Sequence, residues 1–326
     1  MRYPACMSVS PAARLIELLD KPPRKLRPSE VVELESTYRQ THRQLASLRA
    51  SGAGRERLRP LEALLARAQG HLTRERKGIL ESIQTTIALA LSTAPRVLRA
   101  EWRLVLGSFV LFYGLAALAF VLVQHDRQLA YVFLEPAAVD HQLEQLEGLA
   151  PGESFRGNFT FEREESTATA LMITLNNVRV SFFLLALALI PPLFVFVLVV
   201  NAFMVGTYLA VAADFDQLGS ISSILMTHGT LELQAIVLAF VAGVLLVRPL
   251  VWPGVYTRAE SLRRGSGRAL AVFAPVVLML FVAGAIEGYV TAHYDLPVRA
   301  AFIAVSALAL AAWFALGGRN DPAPLP

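Results

Sequence analysis

The chain has 326 residues, 55% of them hydrophobic and 17% charged, with a formal net charge of +4 and a mean hydropathy of +0.49. That is too apolar for a soluble domain of this length and places the chain in a membrane. The single cysteine, Cys6, excludes an intramolecular disulfide framework and a cysteine-based metal cluster, and is expected to be incidental.

The first thirty residues carry Pro4, Pro11, Pro22, Pro23 and Pro28 and no apolar core with a small-residue cleavage site, so the first span is expected to act as its own insertion signal. Ser29 is placed as the cap of a helix with apolar positions at Leu34, Tyr38, Leu45 and Leu48, ended by Gly52 and Gly54. A second helix is expected over 55–77, with Leu58, Leu61, Leu64, Leu65 and Ala68 on one face, and a third over 79–91. Together they predict a small cytoplasmic helical domain, residues 1–103, whose arginines form a solvated face rather than a ligand site. Alternatively, 79–99 is an amphipathic stretch lying on the membrane surface.

Apolar runs follow at 104–123, 171–190, 193–213, 228–247, 270–291 and 298–316, each near the roughly 20 residues needed to cross a bilayer. The second is interrupted by Asn176, Asn177 and Arg179, so six spans are expected and five is the alternative. The fold class is therefore all-α: a polytopic membrane bundle over 104–316, with an external loop at 124–170 and a tail at 317–326. Within that loop, Phe155, Phe159 and Phe161 accompany acidic residues; it reads equally as a partner contact and as an amphipathic cap over the spans.

Charge sets the expected orientation. Up to Arg103 there are 19 Lys and Arg against 10 Asp and Glu, whereas 124–170 carries three against nine. The N-terminus is thus expected in the cytoplasm and the acidic loop outside. The connection at 248–267 agrees, with Arg248, Arg258, Arg263 and Arg264 against Glu260, as does 214–227 with Asp214 and Asp216 and no cation. Both termini are then cytoplasmic. The basic groups nearest the membrane, Arg96, Arg99 and Arg103, suit anionic lipid head groups, and no nucleic-acid motif is present.

Under that topology Asn176, Asn177, Arg179, His228, Glu232 and Glu287 all fall in the outer half of their spans. His228 and Glu232, four apart, share a helix face. An isolated charge there costs a few kcal/mol, which an Arg179 bridge to Glu232 or Glu287 would offset. Asn201 is placed to extend the network inward, with Gly206 a close-packing position. Three roles stay open for this cluster: a lock for the bundle, a lined cavity for a substrate, proton or lipid head group, and a docking surface for a partner's membrane segment. His228, Glu232 and Glu287 have the ligand types of a zinc site but lack the second histidine and general-base carboxylate of the His-Glu-x-x-His helix, so no metal, cofactor or catalytic residue is expected. There is no Gly-rich phosphate loop and no Gly-x-Ser-x-Gly elbow; Gly265-Ser266-Gly267 reads as a flexible connection.

Asn176-Asn177 before Ser181-Phe182-Phe183, Asn201-Ala202-Phe203-Met204-Val205-Gly206, His228-Gly229-Thr230-Leu231-Glu232-Leu233 with Ala235-Ile236 and Gly243, and Ile286-Glu287 together resemble the stage II sporulation protein M family. The region with Tyr38 and Arg39 is similar to the cytoplasmic extension of the family's longer, non-sporulating members. The resemblance implies a multi-pass protein of the bacterial inner (cytoplasmic) membrane, acting as an anchor and scaffold rather than an enzyme. It implies a cell-wall hydrolase or a MoxR-type ATPase system as partner. Asn201-Ala202 stands where the family usually has Asn-Gly, and Pro191-Pro192 where glycines are common, so helix packing there is expected to differ. With no internal repeat apparent, a permease-like subunit is the alternative to a scaffold.

Overall fold

The computed structural model describes residues 10–21, 27–72, 79–157 and 161–321; Cys6, Phe159, the end of the expected 55–77 helix and the last five residues lie outside them. Two compact units divide at Glu81 and Ser82.

The first unit is a three-helix assembly: α1 (Pro11–Leu19), α2 (Pro28–Ala50) and α3 (Arg55–Leu72). Its core joins Leu15, Leu18 and Leu19 of α1 to Leu34 and Leu45 of α2 and Leu65 and Ala68 of α3. The sequence pattern located α2 and α3 but not α1, whose nine residues offer too short a run to show a period. The cap of α2 is Arg27, not Ser29. Pro28 occupies the first helical turn, where a missing N–H costs nothing, and Glu30 returns to accept from the Arg27 backbone N–H at 2.9 Å. Lys21 and Arg27 also donate to Glu30, and these bonds, Lys21 foremost, hold its carboxyl well below the usual range, at about 2. Arg14 grips Glu33 with two bonds at 2.7 and 3.0 Å, clamping α1 to α2.

The second unit begins within α4 (Ile79–Ala88), which runs through a π turn at Leu89–Thr93 into α5 (Ala94–Ala100). The third helix expected over 79–91 therefore belongs with the membrane-spanning bundle rather than with α1–α3. Val97 and Leu98 are buried in the bundle core, and Trp313 Nε1 donates to the Ala90 carbonyl at 2.9 Å. Gly317 and Gly318, just after α13, lie directly on this turn: a Cβ at Gly318, whose φ is +65°, would stand 2.2 Å from the Ser92 carbonyl oxygen.

Among the described residues six helices are long and apolar enough to cross a membrane, in line with six spans rather than five. They are α6 (Trp102–His125), α9 (Ser166–Leu187), α10 (Pro191–Ala213), α11 (Leu218–Val251), α12 (Arg258–Ile286) and α13 (Leu296–Leu316), with α7 (Ala130–Phe133) and α8 (Pro136–Glu147) in the acidic loop. No strand occurs among the described residues, so the fold is an all-α bundle. α11 and α12 make the broadest contact and form its centre. Ala235, Val237, Ala239, Val241 and Ala242 of α11 are fully buried, as befits a helix apolar on every side. Both are longer than their apolar runs. α12 contains Gly265-Ser266-Gly267, expected to be a flexible connection, because Gly265 seats directly against Pro249, whose Cγ would lie 2.3 Å from an added Cβ.

Glycine also sets the other close approaches. A Cβ at Gly206 would stand 2.0 Å from the Ala116 carbonyl oxygen, so α10 and α6 cross at backbone contact, the small-residue packing expected inside membranes. At the end of the bundle bearing Glu101, that carboxylate accepts from Arg248 at 2.7 and 2.9 Å and from Arg268 at 3.0 Å, joining the start of α6 to α11 and α12. At the opposite end the acidic loop folds down as a cap. Val139, Leu146 and Phe155 are buried against Ala210, Val211, Ala212 and Ile221, and Gln142 donates to the Tyr208 carbonyl at 2.9 Å.

Candidate functional site

The loop end of α11 and α12 carries the buried polar cluster. The helical spacing of His228 and Glu232 turns both toward α12, whose final turn loosens into a π turn at Glu287–Thr291. Two glycines position that turn. A Cβ at Gly284 would meet Thr174 Oγ1 at 2.0 Å, and one at Gly288 would meet the Ser166 carbonyl at 2.7 Å; α12 therefore lies flush on α9. Glu287, between them, is directed to α11.

One ligand atom from each of His228, Glu232 and Glu287 lies within 4.8 Å of the others. His228 Nε2 stands 3.9 Å from Glu287 Oε1. Its Nδ1 is 3.2 Å from Thr291 Oγ1, and that hydroxyl donates to the Ile286 carbonyl at 3.4 Å. The two ring nitrogens thus face different groups, Nδ1 the Thr291 hydroxyl and Nε2 the Glu287 carboxylate. Glu287 is 7% exposed, and its Oε2 has no hydrogen-bond partner among the described residues. Asn177 of α9 is the polar side chain nearest in effect to the Glu232 carboxylate.

The remaining expected site residues divide into two groups. Asn176 and Asn177 join the cluster's edge: Asn176 Nδ2 donates to Asn177 Oδ1 at 3.4 Å. Arg179 does not reach either carboxylate; it is exposed and donates to Asn176 Oδ1 at 2.9 Å. Its link to the cluster runs through Asn176 and Asn177. Asn201 turns back on its own helix, donating to the Val197 carbonyl at 2.7 Å. Thr291 was not foreseen, although its spacing of four from Glu287 puts the two on one face. Also unforeseen is the contact of Ser166 Oγ with His293 Nε2 at 2.7 Å, which ties the start of α9 to the end of α12.

His228 and Glu287 form the polar floor of a cavity of about 440 Å³ between α9, α10, α11 and the end of α12. Its walls are apolar, among them Met172, Met204 and Ile224, and its lining continues to Phe161 in the loop. Past Gln234 a long stretch of the two central helices carries no polar side chain. From Ala235 to Val247 α11 has no polar side chain, nor has α12 from Ala269 to Ile286.

The profile of the family described as SpoIIM, stage II sporulation protein M, matches residues 108–292, which contain most of α6, all of α9, α10 and α11, α12 from Arg258 to its end, and the whole His228, Glu232 and Glu287 cluster. No match emerges among curated proteins or among solved structures.

Proposed function

The chain belongs to the stage II sporulation protein M family, and we propose that it is a noncatalytic anchor of the bacterial inner membrane that recruits envelope-remodelling or membrane-associated partners. The observation that carries this reading is the apolar barrier beneath the polar cluster. From Ala235 to Val247, α11 runs about 18 Å without a polar side chain, and it faces an equally apolar stretch of α12. A carrier needs polar groups or water on both sides of its binding layer, and along the two central helices they end on one side. In an anchor the same cluster serves to fix α9, α11 and α12 in one arrangement, and partner contact falls to the two parts outside the barrier.

Those parts suit opposite faces of the membrane. The basic end with Glu101, Arg248 and Arg268 belongs in the cytoplasm by the positive-inside rule, together with the α1–α3 unit, whose own core lets it present a surface to a cytoplasmic ATPase system. The acidic cap, braced on α10 and α11, then faces a cell-wall hydrolase. A second reading, a permease-like subunit, draws on the cavity floored by His228 and Glu287.

The experiment is crosslinking with mass spectrometry in native cells, comparing the full chain with a form lacking residues 1–81, at equal membrane levels. The anchor reading expects a defined set of cytoplasmic partners on the full chain and their loss from the shortened one. It fails if the full chain captures no stable partner.

A further inference from the structure

We infer that His228, Glu232 and Glu287 form a binding site for a divalent first-row transition-metal ion of the zinc class, clipping α11 to the π turn that ends α12. The inference is independent of the anchor reading. The sequence argued against it because the His228 helix lacks the second histidine and general-base carboxylate of His-Glu-x-x-His; the fold supplies Glu287 of α12 as the third ligand instead.

Three observations converge. Three ligand atoms of the kinds that zinc accepts, one imidazole nitrogen and two carboxylate oxygens, lie within 4.8 Å of one another. Contraction by about 1 Å at the two flexible Glu side chains brings that set to the spacing of ligands at roughly 2.0–2.2 Å from one ion. The His228 ring is held by its Nδ1, 3.2 Å from Thr291 Oγ1, the kind of outer-shell contact that orients a metal-binding histidine, while Nε2 lies 3.9 Å from Glu287 Oε1. Glu287 is 93% buried by its 7% exposure, and its Oε2 lacks a partner among the described residues, so a buried carboxylate oxygen is left for a cation to satisfy.

Charge favours an ion over a bare network. Two carboxylates and one neutral imidazole around a divalent cation leave no net charge, which is what a low-dielectric interior demands. Arg179, the cation expected to neutralise the carboxylates, points elsewhere and bonds Asn176. The cavity of about 440 Å³ ending at His228 and Glu287 supplies an entry path and room for a water as fourth ligand.

The test uses the full chain in detergent, affinity tag removed, stripped with a chelator and then titrated with zinc alone and with cobalt(II) as a spectroscopic probe. We expect one equivalent of zinc per chain, retained through desalting, and cobalt absorption bands of a low-coordinate nitrogen and oxygen site. Glu287→Gln and His228→Ala should abolish both. Thr291→Val, which keeps the side-chain shape but frees the ring, should weaken zinc affinity by roughly 10–100-fold. Failure of the unmodified chain to hold zinc overturns the proposal without reference to any variant and assigns the cluster to a shared proton. Stoichiometric zinc that survives His228→Ala also overturns it, placing the ion at a surface histidine.

Discussion

Replacing Glu101 with Gln removes the charge that gathers three helices at the basic end. Its carboxylate accepts two bonds from Arg248, at 2.7 and 2.9 Å, and one from Arg268 at 3.0 Å. The Glu101 side chain is 15% exposed, but the two arginines are 41% and 36% exposed, so solvent screens much of the attraction. The cost lies between the ~1 kcal/mol of an exposed pair and the ~3–5 kcal/mol of breaking a buried one, and we place it at ~2 kcal/mol. Bonding from Arg248 holds the Glu101 carboxyl below its ordinary value. A carboxyl depressed in the folded state stabilises above the unfolded-state pKa, near 4.3, and that contribution is lost as pH falls through the folded value. Unfolding in mixed micelles, followed by tryptophan fluorescence from pH 7 to about 3, reads both effects. The parent chain should be ~2 kcal/mol more stable at neutral pH, with the gap closing in acid. Parallel curves, or a neutral-pH difference under ~0.5 kcal/mol, would refute the assignment.

Gly288→Ala should destabilise by ~1–3 kcal/mol, since its Cβ would meet the Ser166 carbonyl at 2.7 Å and α12 must lift from α9. Gly229→Ala, whose Cβ would meet only Leu233 and Leu225 side chains at 3.6 Å or more, should stay within ~0.5 kcal/mol in the same unfolding assay. Arg179→Met should likewise change stability by less than ~1 kcal/mol, because Arg179 is exposed and its bond is to the exposed Asn176. Asn177→Leu should cost more, ~1–3 kcal/mol, by leaving the Glu232 carboxylate short of a donor; equal losses from the two would argue that Arg179 reaches the cluster after all.

Helix number and type were legible in the sequence because runs of about twenty apolar residues leave little freedom, and α9 kept its place despite Asn176, Asn177 and Arg179. Helix ends were less so. Hydropathy sees only the membrane-buried part, so the polar turns at Leu218–Thr227 and at Gly265-Ser266-Gly267 were read as connections although both are helical. Layer arithmetic brought His228, Glu232 and Glu287 to one depth but could not say which face each presented. Arg179 shows the difference: it sits at the right depth and on the exposed face. Thr291 escaped notice because its role depends on a π turn, and nothing in the residues Glu287-Gly288-Tyr289-Val290-Thr291 distinguishes that turn from ordinary helix.

The most direct test of a sealed anchor is thiol accessibility in intact and inverted membrane vesicles, on a Cys6→Ser background. Ala239→Cys probes the apolar barrier and Leu225→Cys the cavity wall. The account predicts that a membrane-impermeant maleimide labels Leu225→Cys from the acidic-loop side alone and leaves Ala239→Cys unmodified from both. Labelling of Ala239→Cys from either side would contradict it, because water would then cross the layer on which the anchor reading rests.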